Sequence, residues 1–273
     1  MNPVQCFVIN LPKDSHRKKS IISQFEGGNN IAQCNIIEAI DALNSDEVKK
    51  IYREAQDQSI KKYGHILTMG EVACFLSHQK AMKEFLKTDG NVAIIMEDDA
   101  VVMPVFWKNI QNLSLFYSEN LEGVMLNLRP HKRKKYFTIN NFDDFTIAKH
   151  VRVAAGAVGY MVSRKVAEEL ISQPIILSYD KMLQRFWEGE FINYAVIPHF
   201  VDILHCESSI CKNGGISRQG HRSLSRKKIG WIKYKLNRIK IVFKHDWRDA
   251  CCNVKIFGLW KVVKSILFKG GAR

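Results

Sequence analysis

The chain opens with a pattern typical of a strand followed by a helix and a second strand. Residues Val4 to Leu11 are apolar and β-prone, and Pro12 ends the run. Residues Lys13 to Phe25 carry apolar side chains at helical spacing, with Ser15 as a possible N-cap. A second β-prone run covers Cys34 to Ala39. The start of the chain therefore predicts a strand, a short loop and a helix, followed by a candidate second strand.

The clearest helix and the clearest buried strand follow one another in the next part of the chain. Thr68 to Leu86 has an apolar face, and Thr68 with Glu71 has the spacing of a capping box. Val92 to Met96 is a continuous apolar run that ends in three acids, Glu97 to Asp99. This pattern predicts a buried strand whose carboxyl end delivers acids to a crevice, which is where open α/β sheets bind ligands.

The remaining patterns complete an α/β alternation. A polar stretch, Asn44 to Tyr63, is interpreted as a helix or a surface excursion with few core residues. Further predicted elements are strands at Gly123 to Leu128, Ala157 to Val162 and Ile192 to Ile197, and a helix at Arg164 to Ile171.

Composition places the chain among globular proteins. Of 273 residues, 46% are hydrophobic and 25% charged. No run approaches the roughly 18 to 20 apolar residues that span a bilayer, and the first residues lack the features of a secretory signal, so we expect a cytoplasmic protein. The seven cysteines are odd in number and form no C-x-x-C pair, which favours reduced, mostly buried thiols over a disulfide framework or a zinc ribbon.

The positive charge is concentrated at the end of the chain. Residues 222–273 carry 15 Lys and Arg against two acids, whereas residues 1–221 carry 26 basic and 25 acidic residues. Within the basic part, Ile232, Leu236, Ile239 and Phe243 fall on one helical stripe, a pattern suited to an anionic membrane interface. We therefore expect a catalytic domain at 1–221 and a basic amphipathic, membrane-associating segment at 222–273.

The acidic triplet is the strongest local indication of chemistry. A divalent cation prefers carboxylate oxygens, and Glu97 and Asp99, two residues apart, can face one crevice. The alternative is that three acids simply mark the point where a buried strand reaches solvent.

Five other residues are candidates, and all but His205 have a structural alternative. Arg17 can reach a phosphate, although a solvated helix residue is the favoured interpretation, and His78 can be a ligand contact, although a structural histidine is more usual. Asp180 fits a general base or an N-cap. His205 and His221 can each complete a metal site, and a surface histidine is the favoured interpretation of His221.

Six motifs follow one another along the chain: FVINLPKDSHRKK, MGEVACFLSHQKAMKEFL, AIIMEDDAVV, AAGAVGYMVSRKVAEEL, SYDKML and VIPHFVDILHCESSI. In this order they resemble glycosyltransferase family 25, the lipooligosaccharide galactosyltransferases of Gram-negative bacteria. The resemblance extends to about Ile216. The sequence departs from the family at Ser15 to Arg17, where many relatives have an acid before two arginines.

The resemblance implies a GT-A fold, a mixed central sheet flanked by helices, and an inverting reaction. It implies a UDP-sugar donor, UDP-galactose or UDP-glucose, and a lipooligosaccharide acceptor at the inner face of the inner membrane. The residue roles that it implies are Glu97, Asp99 and His205 as ligands of Mn²⁺ or Mg²⁺; Asp180 and Asp98 in catalysis; and Asn10, Arg17, Ser77, His78 and Asp98 in contact with the nucleotide-sugar.

Two other classes of function fit parts of the sequence. A nucleic-acid-binding protein or metal-dependent nuclease would use the basic segment and the acids, although the interleaved apolar residues favour a lipid interface over a duplex. A sugar-binding protein without catalysis is the other, and the intact acidic triplet argues against it.

Overall fold

The computed structural model describes residues 2–28, 30–130, 135–151, 156–184, 191–204, 231–259 and 262. The strands in these ranges are β1 Val4–Asn10, β2 Ala32–Glu38, β3 Val92–Glu97, β4 Ala100–Val102, β5 Val124–Asn127, β6 Tyr136–Asn141, β7 Thr146–His150, β8 Gly159–Ser163, β9 Ile192–Ile197 and β10 Val201–Ile203. The helices are α1 Ser15–Phe25, α2 Asp46–Tyr63, α3 Met69–Leu86, α4 Pro104–Asn120, α5 Arg164–Ser172, α6 Tyr179–Leu183 and α7 Trp231–Phe257.

The large sheet is mixed and runs in the order β2-β1-β3-β8-β5-β9-β7-β6. Strand β1 pairs in parallel with β2 on one side and with β3 on the other, while β8 is antiparallel to β3 and β5. From β1 the chain continues to β2 on one side, and it later returns to β3 on the other side. The carboxyl ends of β1 and β3 therefore open a crevice between them. Strand β4, which directly follows the acidic triplet, forms a separate antiparallel pair with β10.

Helices cover both faces of the sheet, which explains why the central strand β3 is apolar from Val92 to Met96. Alternate residues of β3 serve opposite faces: Ala93 and Ile95 pack with α2, α3, α5 and α6, and Ile94 and Met96 pack with α1 and α4. Because the side-chain period of a strand is two, a continuous apolar run is what a strand buried on both faces requires. The mixed α/β architecture with flanking helices is therefore confirmed.

Helix α3, which lies along the crevice, has a well-defined start. The Thr68 hydroxyl accepts a hydrogen bond from the Glu71 backbone at 3.1 Å, and the Glu71 carboxylate accepts one from the Thr68 backbone at 2.9 Å. This reciprocal pair is the predicted capping box. Helix α2 before it ends at Gly64, whose positive φ of 61° allows the left-handed cap.

Most predicted elements agree with the structure, and the differences have local causes. The first helix is capped at Asp14, so Ser15 is its first residue and the predicted N-cap was wrong. The stretch 46–63 is a full helix that buries Val48, Ala55 and Tyr63. Helix α4 and the β6-β7 hairpin were not among the predicted elements.

The second half of α7 packs against the edge of the sheet at β6 and β7. The Lys149 ammonium lies 3.7 Å from the Asp249 carboxylate, and both side chains are at most 1% exposed. The Asn253 amide donates to the Val151 carbonyl at 3.0 Å, and the rings of Phe257 and Phe137 stack at 4.4 Å. The predicted boundary between 221 and 222 lies outside the described residues.

Removing one partner of this buried ion pair is expected to destabilise the fold strongly. Burial lowers the pKa of Lys149, and Asp249 counteracts that effect. Asp249→Ala should therefore lower the free energy of unfolding by about 3 to 5 kcal/mol in urea denaturation, because an uncompensated cation would remain buried. The double variant Lys149→Met with Asp249→Leu, which leaves no charge behind, should recover most of that loss. A loss below about 0.5 kcal/mol for Asp249→Ala would contradict this account.

Candidate active site

The acidic triplet lies where β1 and β3 end side by side. Strand β3 ends at Glu97, whose register partner on β1 is Ile9, and Asp98 and Asp99 form the turn into β4. All three acids line a cavity of about 130 Å³ at this edge of the sheet. The ends of β1 and β2, helix α1 and one face of α3 supply the rest of its wall. The site thus occupies the crevice that the strand order creates.

Asp98 is held by groups from the first β-α unit. The Asn10 amide donates to one of its oxygens at 2.8 Å, and the Arg17 guanidinium lies 3.1 Å from the other. Both Asp98 and Arg17 are buried, so the interpretation of Arg17 as a solvated helix residue was wrong. The Asn10 amide also donates to the Asp14 carbonyl at 3.2 Å, next to the start of α1. Asp98 therefore joins β1, α1 and the acidic turn.

Glu97 and Asp99 lack a comparable cationic contact in the described residues. Burial, followed by the charge of Asp180, raises the pKa of Glu97 to about 8. Burial and then Glu97 raise the pKa of Asp99 to about 7. One carboxylate oxygen of Asp99 is buried without a hydrogen-bond partner among those residues. Two acids whose negative charges are poorly compensated fit a divalent cation, because the ion would supply the missing positive charge.

His78 is fixed in the wall of the cavity opposite Glu97. Its Nδ1 lies 2.9 Å from the Tyr160 hydroxyl, which is 2.8 Å from the Tyr179 hydroxyl. Its ring stacks on Tyr179 at 4.1 Å, and burial lowers its pKa to about 3, so the imidazole is neutral. Its Nε2 lies 3.4 Å from a Glu97 oxygen.

Ser77 lines the same cavity but its hydroxyl is already engaged in backbone contacts. It donates to the Ala73 carbonyl at 2.7 Å and accepts from the Ile40 backbone at 2.9 Å. These bonds fasten α3 to the segment after β2, which forms another part of the wall.

Asp180 is an exposed residue in the first turn of α6, and the N-cap of that helix is Ser178. The alternative interpretation of Asp180 as an N-cap was therefore wrong. Its charge contributes to the raised pKa of Glu97, which places the two carboxylates within electrostatic reach.

The predicted imidazole ligand and its alternative, His205 and His221, lie outside the described residues. Residue Leu204, immediately before His205, donates its backbone N–H to the Asp99 carbonyl at 2.8 Å.

The structure also brings to the site a residue that the sequence indicated only as a buried thiol. Cys74 lines the cavity one helical turn before His78, and its Sγ lies within 4.8 Å of both the His78 and Glu97 ligand atoms. The signal that identifies it is the spacing of Cys74 and His78, four residues apart on a strongly predicted helix. The cysteines among the described residues are all free.

No described helix combines the length and the hydrophobicity that crossing a bilayer requires.

Comparison with known proteins gives two kinds of match. The profile of glycosyltransferase family 25 (LPS biosynthesis protein) matches residues 4–183. Procollagen galactosyltransferase 1 of Danio rerio is 32% identical over 190 residues, which cover 66% of this chain and 30% of that protein. The procollagen lysyl hydroxylase and glycosyltransferase of Acanthamoeba polyphaga mimivirus is 23% identical over 180 residues, 61% of this chain and 19% of that protein.

The chain thus spans less than a third of the length of these curated relatives. The family match, by contrast, takes in the first strand, all of α3, the acidic turn and the helix of Asp180. The chain belongs to glycosyltransferase family 25.

Proposed function

We propose that the chain is an inverting glycosyltransferase of the GT-A type. It transfers a hexose, with galactose favoured over glucose, from a UDP-sugar to a lipooligosaccharide or lipopolysaccharide core. The observation that carries the proposal is the pair of poorly compensated acids, Glu97 and Asp99, at the crevice between β1 and β3. Family membership and the name of the Danio rerio relative support the sugar-transfer chemistry.

In this proposal Glu97 and Asp99 hold Mn²⁺ or Mg²⁺, and His205 is the third ligand. The ion, when bound, acts as a Lewis acid that neutralises the charge of the departing nucleoside diphosphate. Asp98 aligns the acidic turn through Asn10 and Arg17, and the cationic Arg17 also faces the cavity where a phosphate would lie.

Asp180 is the proposed general base. A single displacement with inversion needs a group that takes the proton from the acceptor hydroxyl on the side opposite the leaving group. Asp180 is exposed to solvent while its charge acts on Glu97, so an acceptor can approach it without displacing core residues.

We also propose that the protein binds the cytoplasmic face of the inner membrane through α7. Among the side chains of this helix that the structure describes, four large apolar ones are exposed: Leu236, Ile239, Phe243 and Trp247. Their spacings of three, four and four residues put them on one stripe. The buried Asp249 lies about 200° around the helix from Trp247, so the stripe is on the side of the helix opposite the buried contact. Apolar side chains that protrude from a basic segment suit a lipid interface better than a nucleic-acid duplex, which argues against the alternative function.

The reaction is tested by measuring UDP release and product formation from UDP-galactose and UDP-glucose on extracted lipooligosaccharide, with and without Mn²⁺. Asp99→Asn should reduce the rate by about 100-fold or more, because it weakens the ion's site without opening a cavity. The matched control is Asp89→Asn, an exposed acid before β3 that should leave the rate unchanged. Wild-type activity in Asp99→Asn would refute the metal assignment, and no transfer from either donor would refute the proposed reaction.

Binding of Mn²⁺ should weaken as the pH falls through the pKa values of the two acids. Since the pKa of Glu97 is raised to about 8 and that of Asp99 to about 7, protons compete with the ion near neutrality. We expect the affinity, measured by calorimetry, to fall more than about tenfold between about pH 8 and pH 6. Asp99→Asn should bind more weakly and with a shallower pH dependence. A constant affinity over that range would contradict the assignment.

Membrane binding is tested by sedimentation with anionic phosphatidylglycerol vesicles. Phe243→Glu and Trp247→Glu should each weaken binding by about tenfold or more, since each removes a large apolar side chain from the interface. Leu115→Glu is the matched control, because Leu115 is an exposed leucine, 47% accessible, on α4. Point substitutions are preferable to truncation, which would also remove the partner of Lys149. Equal sedimentation of all variants would exclude the stripe as the membrane contact.

A further inference from the structure

Three side chains of different chemistry converge in the wall of the cavity. The Cys74 thiol, the His78 imidazole and the Glu97 carboxylate each offer a ligand atom within 4.8 Å of the other two. Cys74 and His78 come from successive turns of α3, and Glu97 comes from the end of β3. Thiolate, imidazole and carboxylate are the ligand types of zinc sites, and three protein ligands with one open position is the arrangement of catalytic zinc.

The helix that carries two of the ligands, α3, is held in place before any ion binds. Residues four apart on a helix lie one above the other on the same face, and the capping box together with extensive burial holds this helix in place. The His78 ring is additionally held by its stacking on Tyr179 and by the contact of Nδ1 with Tyr160. The hydrogen-bond partner at Nδ1 determines which nitrogen remains for a metal, and here it leaves Nε2.

An independent observation points to a ligand at this position. The His78 side chain is 1% exposed, and its Nε2, although 3.4 Å from a Glu97 oxygen, makes no hydrogen bond with the described residues. A buried polar atom without a partner is costly, so a group that binds it is expected.

The spacing also fits tetrahedral coordination. Metal–ligand bonds of about 2.0 to 2.3 Å at tetrahedral angles put neighbouring ligand atoms about 3.3 to 3.8 Å apart. The His78 Nε2 and the Glu97 Oε1 are already 3.4 Å apart. A small adjustment of the Cys74 side chain, which lies within 4.8 Å of both, completes the three-ligand set.

We propose that Cys74, His78 and Glu97 form a binding site for Zn²⁺, a softer ion than the Mn²⁺ or Mg²⁺ of the proposed reaction, with its fourth position open to the cavity. On binding, the Cys74 thiol releases its proton to solvent and a zinc–sulfur bond forms. A thiolate selects Zn²⁺ over Mg²⁺ and Mn²⁺, which prefer oxygen.

The site shares Glu97 with the proposed donor-binding cation. When Glu97 binds Zn²⁺ together with Cys74 and His78, its carboxylate is no longer available to Mn²⁺. Zn²⁺ therefore inhibits sugar transfer in competition with Mn²⁺. This inhibitory role rests on the proposed function, whereas the binding of Zn²⁺ does not.

Binding is tested on the full chain with Co²⁺, a spectroscopic substitute for Zn²⁺. We expect a thiolate-to-cobalt charge-transfer band and the visible bands of tetrahedral Co²⁺, both abolished by Zn²⁺. Cys74→Ser, which is nearly isosteric, should remove the charge-transfer band and weaken binding by about 100-fold or more, and His78→Gln should weaken it likewise. Cys251→Ser, which removes an exposed thiol on α7, is the control and should retain the full spectrum.

The absence of a charge-transfer band in the wild-type protein, or its persistence in Cys74→Ser, would overturn the site. Circular dichroism melting first establishes that each variant is folded, so that a lost band reflects the site and not unfolding. If His78→Gln fails to fold, the result for Cys74→Ser alone decides.

Inhibition is measured separately, as the Zn²⁺ concentration that halves each variant's own transfer rate at fixed Mn²⁺. This concentration should be at least about tenfold higher for Cys74→Ser than for Cys251→Ser, and equal values would overturn the inhibitory role. A cobalt spectrum in a protein without transfer activity would support the site and refute the proposed function.

Discussion

The buried contact of Asp98 with Asn10 and Arg17 determines what the rest of the site can do. It compensates one of three adjacent acids with a cation and an amide from the first β-α unit. Burial raises the pKa values of Glu97 and Asp99, on either side, and the same arginine counteracts this effect only in part. One acid therefore stabilises the turn, and the other two remain available to bind a cation. Without the central contact, three like charges at a sheet edge would repel one another with no fixed geometry.

The strand order explains why these residues meet. Because β1 has parallel neighbours on both sides, the ends of β1 and β3 lie next to each other although 88 residues separate Asn10 from Asp98. Helix α1, which joins β1 to β2, packs on one face of the sheet, and α3 packs on the other face. Arg17 therefore reaches the crevice from one side and His78 reaches it from the other. Glu97 lies between them. It consequently belongs to both of the proposed ligand sets, an oxygen-rich one with Asp99 and a sulfur- and nitrogen-containing one with Cys74 and His78.

The elements that the sequence predicted well are those with strong local signals. The capping box of Thr68 and Glu71 fixes the start of α3, and the apolar run to Met96 places the acids at a strand end. Helix α4 was not predicted, although it has a comparable signal: Pro104 lies in its first turn, and Phe106, Ile110, Leu113 and Tyr117 follow at helical spacing.

Other features depend on contacts between distant parts of the chain, which local patterns do not encode. The burial of Arg17 requires Asp98, and the exposed position of Asp180 depends on how α6 packs after Ser178. The pairing of Lys149 with Asp249 likewise joins residues 100 positions apart, so nothing in a window of sequence distinguishes them from solvated charges. That pair has a consequence for α7, because it anchors the half of the helix that follows the exposed stripe. In the proposed membrane-bound state the helix is attached at one end to β6 and β7 and at the other to lipid, so it would restrict how the catalytic sheet can tilt relative to the bilayer.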